Sequence, residues 1–393
     1  MKFKAMAAMA LGLTLVGGAL KAEDKKPAAW YEKINAAGYV DAYYQYNLNG
    51  RSAPSAPGNR AFDVTQQQFT FSGAKLALSE SDAASKTGGE LDLFYGPTTK
   101  LFNTSSPTES LAVEQAFITD AFGPVTFKLG KFTTFVGTEV IETPANLNYS
   151  RGTLFGAIPF YHVGLEATYV PMDGTSIMAY TGNGNSVDAA SSERRDWGLT
   201  LGYTGVKGLG LTAIYYMESG LTPTTVVGQM VSENTHYFDF LASYQIAETL
   251  AFNGEYLYKT RIAAGDTDTA GNLLTTNTQV DPATGKKVAY SPKQQGYALY
   301  LNYTTPIANL SVIPRFEQFY TPEGSAPSLG ALTTDTTITL KYAQGPLTHY
   351  LEYRNDWKSD GAFAQAAGVM TDGTYATTSS SQNTVTYGAT YSF

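Results

Sequence analysis

The chain contains no cysteine, only 15% charged residues and three histidines, and beyond residue 22 it has no apolar run of any length. Without cysteine there are no disulfides, so an exported chain must be held by backbone pairing and burial. A membrane-crossing helix needs about 20 consecutive apolar residues, which excludes a helical membrane protein. Basic charge is also short. The net charge of −8 leaves no basic face for a phosphate backbone and excludes nucleic acid as a partner. His162, His236 and His349 lie far apart in sequence and make no metal-binding set, and no cofactor is expected.

The chain is instead rich in tyrosine and glycine, with 28 Tyr and 38 Gly among its 393 residues. Met1 to Ala22 joins a basic start (Lys2, Lys4) to the apolar run Ala5 to Leu20, with Leu20-Lys21-Ala22 as the expected cleavage site. It reads as a signal peptide that precedes a single domain spanning residues 23–393. Within that domain, apolar and polar residues alternate with period two. Val40, Ala42, Tyr44, Tyr46 and Leu48 share one face, while Asp41, Gln45 and Asn47 take the other. Trp197, Leu199, Leu201 and Tyr203 repeat the pattern. So do Val163 to Tyr169, Phe238 to Tyr244, Tyr297 to Tyr303, Ile338 to Tyr342 and Val385 to Phe393. Around Phe69 to Leu78 the phase slips near Ser72-Gly73, which predicts a β-bulge. Strands of this kind cross a hydrocarbon layer in roughly ten residues.

Connections alternate between short and long. The short ones are Glu80 to Gly89, Phe122 to Pro124, Pro171 to Gly174, Gly205 to Gly208, Ala247 to Thr249, Thr305 to Asn309 and Gln344 to Pro346. The long polar ones are Asn49 to Phe62, Gly96 to Ser110, Thr133 to Tyr161, Thr181 to Arg195, Glu218 to His236, Lys259 to Gln294, Thr321 to Asp335 and Asn355 to Gln382. This rhythm predicts an all-β, transmembrane, antiparallel up-and-down β-barrel of about 16 strands with short periplasmic turns and long extracellular loops. Tyr169, Tyr203, Tyr244, Tyr303, Tyr342 and Tyr391 each fall where a strand returns to a short turn or ends. There the ring meets outer-membrane lipid and the hydroxyl reaches water, as in an interfacial aromatic girdle.

Val385-Thr386-Tyr387-Gly388-Ala389-Thr390-Tyr391-Ser392-Phe393 is similar to the last strand of outer-membrane barrels, in which a final aromatic is read by the barrel assembly machinery. This makes Phe393 a candidate assembly signal. Leu129 to Glu139, continuing through Asn146 to Arg151 and Pro159 to Gly164 and supported by Arg315-Phe316-Glu317-Gln318-Phe319, resembles the OmpL-like β-barrel porin family of Gram-negative outer membranes. The resemblance covers nearly all of the mature chain. It implies a porin, a class of function without a named solute.

About 16 strands enclose a lumen too wide for side chains alone to fill. By parity, Asp41, Lys128, Glu166, Asp239, Glu255, Arg315, Glu317, Lys341, Glu352 and Arg354 point into it. Their signs are mixed, so no strong ion preference is expected. The loop Thr133 to Tyr161 is unusually apolar for a solvated segment. It is expected to fold inward as a pore constriction carrying Glu139, Glu142, Asn146, Asn148 and Arg151. Glu139, Glu142 and Arg151 would set a transverse field opposite Arg315 and Arg354.

Small polar solutes are the expected cargo, and monomer and homo-oligomer are equally compatible with the pattern. The rival readings are a surface adhesin or receptor barrel that binds through its loops, a barrel enzyme, and a soluble β-sandwich or solenoid. No nucleophile-and-base motif supports the enzyme, and the apolar outer face speaks against the soluble fold. Gly265 to Asn272 resembles a calcium loop but lacks the downstream Glu of a full one.

Overall fold

The period-two segments form strands because their branched and aromatic side chains suit a pleated surface that is apolar on one face. A computed structural model describes residues 33–49, 60–103, 108–189, 194–223, 230–263, 278–280, 287–289, 293–321, 331–359, 363–364 and 378–393. Sixteen strands close a barrel. They are β1 (Asn35–Asn47), β2 (Gln68–Asp82), β3 (Thr87–Tyr95), β4 (Leu111–Phe122), β5 (Val125–Thr133), β6 (Tyr161–Met172), β7 (Thr175–Gly182) and β8 (Asp196–Tyr203), followed by β9 (Leu209–Pro223), β10 (Met230–Ala247), β11 (Leu250–Ala263), β12 (Lys293–Thr304), β13 (Leu310–Thr321), β14 (Ala331–Gln344), β15 (Leu347–Lys358) and β16 (Ser381–Ser392).

Each strand pairs antiparallel with its neighbour in sequence, and β16 closes on β1 from Tyr39 opposite Ser392 to Asn47 opposite Thr384. Among the described residues, closure leaves the barrel sheet without an edge strand, as hydrocarbon requires. Two short strand pairs form sheets of their own, Thr278–Val280 with Lys287–Ala289 and Phe363–Ala364 with Thr378–Ser379.

All seven short connections fall where the sequence placed them. The turns after β4 and β14 carry Gly123 at φ +61° and Gly345 at φ +62°, a left-handed backbone that L side chains resist. The slip in β2 is a bulge: Asp41 faces Gly73 while Ala42 faces Phe71, so Ser72 has no partner opposite it.

One loop boundary needs correction. Much of Glu218 to His236 is strand, with Glu218 opposite Thr235 and Pro223 opposite Met230. Backbone pairing carries these strands past the membrane, where water no longer imposes apolar alternation, and the hydropathy signal stops before the strands do. The segments 1–22 and Gly265 to Asn272 lie outside the described residues.

Parity decides which side chains face lipid. Val40, Tyr46 and Leu48 stand exposed on the outside of β1, while Asp41, Gln45 and Asn47 are buried inside. Trp197, Leu199, Leu201 and Tyr203 are likewise exposed outside β8. Buried residues therefore gather in the lumen, and many are large: Phe94, Phe132, Tyr180, Tyr216, Tyr237, Tyr300 and Tyr350 all point inward.

Candidate functional site

The wall residues expected in the lumen alternate with exposed neighbours along their strands. Asp41 (β1), Glu166 (β6), Asp239 (β10), Glu255 (β11), Arg315 and Glu317 (β13), and Glu352 and Arg354 (β15) are all buried inside. Lys128 on β5 pairs with Glu166 at 2.8 Å and keeps 20% of its side chain exposed. Lys341 on β14 donates to the Asn146 carbonyl at 2.9 Å.

Residues 134–160 lie inside the barrel, between β5 and β6 in sequence, with short 3-10 turns at Thr143–Ala145 and Phe155–Ala157. Val136, Ile141, Tyr149, Leu154, Phe155 and Ile158 are all buried, which accounts for the apolar character of the loop. The wall is shaped to receive it. A Cβ built on Gly198 would stand 2.5 Å from the Phe135 ring, and one on Gly388 would stand 2.3 Å from the Tyr149 ring. These wall glycines are sockets for loop aromatics.

Wall charges grip the main chain of the loop. Gly137 N–H donates to Asp239 at 2.7 Å, Thr138 N–H to Glu255 at 2.9 Å and Leu154 N–H to Glu317 at 2.7 Å. Tyr149 and Ser150 N–H both donate to Glu352, at 2.8 and 3.1 Å. Wall cations take the carbonyls: Arg315 donates to Ser150 O at 2.6 Å, Arg354 to Arg151 O at 2.5 Å and Lys259 to Ala157 O at 3.0 Å. Buried amides and carbonyls need partners, and charged partners give the stronger bonds. Acids on N–H and bases on C=O hold the loop across most of the lumen.

This arrangement changes the expected electrostatics. Glu139 does not face a basic wall across open water; it is paired with Arg315 at 2.8 Å. Glu142 pairs with Lys75 at 2.6 Å. Arg151 fastens the loop to itself, donating to the carbonyls of Tyr149, Val140 and Ile141. Asn146 also closes the loop internally, through Val140 and Glu142, whereas Asn148 reaches the wall at Ile313 O and Thr339 Oγ1. Arg315 and Arg354 are 1% and 0% exposed, so the loop covers them. Charges in contact neutralise one another, and the apolar residues of the loop drew it close enough for contact.

Sequence reading missed part of this site. A second segment, 60–67, also folds inward. Phe62 packs on Phe155 and Phe160, and the Gln45 side chain donates to the carbonyls of Asp63 and Thr65. Arg60 pairs with Asp63 at 2.8 Å and with Asp356 at 3.1 Å. Lys75, Asp92 and Glu114 were also passed over, although strand parity placed them inside. Their bulged strands blurred the count, since Glu114 is itself the extra residue opposite Asp92-Leu93.

The carboxylates of Asp92, Glu114 and Glu142 approach one another within 4.8 Å, a spacing that suits a metal ion. The Lys75 ammonium already stands among them, at 2.7, 3.0 and 2.6 Å, in the place a cation would take. The three histidines have different surroundings. His162 is buried inside, stacked on Phe135 at 4.6 Å, whereas His236 bonds Tyr215, and His349 bonds Tyr387 on the exposed face.

The six tyrosines lie on the outer face at one end of the barrel. Tyr169, Tyr203, Tyr244, Tyr303, Tyr342 and Tyr391 are all exposed near the ends of β6, β8, β10, β12, β14 and β16. Most face a leucine on an adjacent strand: Tyr203 with Leu211 on the strand after it, and Tyr244 with Leu209, Tyr303 with Leu250, Tyr342 with Leu310 and Tyr391 with Leu347 on the strand before it. Phe393 helps close the barrel, exchanging backbone bonds of 3.0 Å in both directions with Gly38.

The fold is similar to solved outer-membrane channels. The outer membrane channel DcaP of Acinetobacter baumannii is 14% identical with a TM-score of 0.60, over 92% of this chain and 97% of that one. The anion-selective porin from Comamonas acidovorans is 12% identical with a TM-score of 0.57, over 92% of this chain and 99% of that one. OmpT of Vibrio cholerae in its trimer form is 11% identical with a TM-score of 0.55, over 92% and 99%. No curated protein matches the chain in sequence. The model of the family described as "Putative beta-barrel porin-2, OmpL-like" matches residues 33–393, and the chain belongs to this family of outer-membrane porins.

Proposed function

We propose that the barrel is a passive, water-filled route for small polar solutes across the outer membrane, with loop 134–160 as its narrowest section. The observation that carries this reading is a closed wall of 16 strands whose charges turn inward and grip that loop. A porin does no chemistry on its cargo, so we assign no catalytic role. Glu139, Glu142, Asn146, Asn148 and Arg151 shape the constriction, and Lys128, left partly open beside Glu166, faces the passing solute. Residues 1–22 act as the cleaved export signal, and Phe393 is read by the assembly machinery. The trimer form of OmpT supports a homo-oligomer here.

The test is planar-bilayer recording of the refolded chain under a salt gradient. Discrete steps proportional to salt are expected. Neutralising Glu139 and Glu142 together removes two negative charges and should move the reversal potential toward anions. An unchanged potential would count against the loop as filter, and a folded barrel that does not conduct would favour a surface receptor.

A further inference from the structure

The ion pairs around the loop do not stand separately. Asp63 pairs with Arg60 at 2.8 Å, Arg60 with Asp356 at 3.1 Å, and Asp356 with Arg354 at 2.7 Å. Arg354 then meets Asp335 at 2.8 Å, Asp335 meets Arg315 at 2.8 Å, and Arg315 meets Glu139 at 2.8 Å. Acid and base alternate along one unbroken chain. Its first two members belong to segment 60–67, its last to loop 134–160, and those between to β15, β14 and β13.

We propose that Asp335 and Asp356 are positioning residues that join the two infolded segments into a single unit, so that neither leaves the lumen without loosening the other. Three observations carry this. Each shared carboxylate bridges two guanidiniums: Asp335 holds Arg315 and Arg354, and Asp356 holds Arg354 and Arg60. Every side chain in the central part is nearly sealed from water, with Asp335 at 1% and Asp356 at 0% exposure, so solvent cannot replace a lost partner. The segments also touch directly, through Phe62 on Phe155 and through the Arg151 guanidinium over the Phe62 ring at 5.2 Å. Buried charges left without a partner are strongly unfavourable. Withdrawing Glu139 leaves Arg315 with one carboxylate, Asp335, beside the Thr337 hydroxyl, and the loss passes along the shared carboxylates to Arg60. Coupling of this kind travels through a contiguous network whose parts move together.

The inference rests on the proposed role of loop 134–160 for its effect on flow, but its test needs no current. Because the chain has no cysteine, single reporters at Ala61→Cys and Ala157→Cys can be labelled one at a time in the folded barrel with a water-soluble thiol reagent. In the parent, both should react slowly. Asp335→Asn should speed both by about tenfold or more, which corresponds to about 1.4 kcal/mol of opening free energy. Glu139→Gln cuts the chain only at the loop end, yet it should also speed labelling at Ala61→Cys. Arg60→Gln cuts the other end and should speed Ala157→Cys. Acceleration confined to the segment that was cut would overturn the proposal, as would an unchanged rate at Ala61→Cys in Asp335→Asn. Heat-modifiable migration on gels shows which variants have folded; if Asp335→Asn does not, the two end variants decide alone. A barrel that carries no current yet shows coupled labelling would refute the pore and keep the coupling.

Discussion

A single methyl group at Gly388 distinguishes a loop seated in the wall from one that lies beside it. A Cβ there would stand 2.3 Å from Tyr149 Cε2 and 2.4 Å from Cδ2, so the ring must leave. It has nowhere near to go, because Tyr43 and Tyr350 flank it at centroid distances of 5.7 and 5.5 Å. Displacement also breaks the bond from the Tyr149 hydroxyl to Asp41 at 2.9 Å. Overpacking costs about 1–3 kcal/mol and a lost bond to a charged group about 1.5–3 kcal/mol, so Gly388→Ala should destabilise the seated state by roughly 2.5–6 kcal/mol.

The assay is a double-mutant cycle with Tyr149→Ala, read by urea unfolding in detergent and by single-channel conductance. In the Tyr149→Ala background the methyl group meets no ring, and Gly388→Ala should cost almost nothing. A coupling of at least about 2 kcal/mol and a larger or noisier conductance in the single Gly388→Ala variant are expected. Additive costs with an unchanged conductance would refute the socket, and with it the claim that the wall is built around the loop.

Lys75→Met removes the ammonium from among Asp92, Glu114 and Glu142, and the variant should acquire block by millimolar Ca²⁺ that the parent lacks, measured as a fall in conductance on adding the ion. Leu299→Arg, placed on the lipid face of β12, should destabilise the barrel by about 2–4 kcal/mol in urea titrations from liposomes, whereas Asn302→Arg, on the lumen face of the same strand, should cost less than about 1 kcal/mol. Glu352→Leu leaves the amides of Tyr149 and Ser150 without an acceptor and should cost about 2–6 kcal/mol, with faster hydrogen exchange confined to those two amides and their neighbours.

Much of the barrel was legible because a membrane strand obeys one rule, alternation, and a two-residue turn obeys another. Asp41, Glu255 and Arg354 could be placed inside from their neighbours alone. Reading failed where those rules lapse. Glu218 to Pro223 pair with β10 without a clean apolar alternation, and the bulge at Glu114 shifts parity within β4. Segment 60–67 carried a weak signal, since one Phe and one Arg in a polar stretch look like any loop.

The period-two pattern by itself determined the all-β class, the strand order, the inward set of charges and the outward tyrosines, because each depends only on residues adjacent in sequence and on which solvent each face meets. Partners across the lumen were decided by tertiary structure alone. Glu139 and Arg315 stand 176 positions apart and pair at 2.8 Å only because the closed barrel and the collapse of an apolar loop bring them together. Local pattern says which way a side chain points, but closure decides what it meets there.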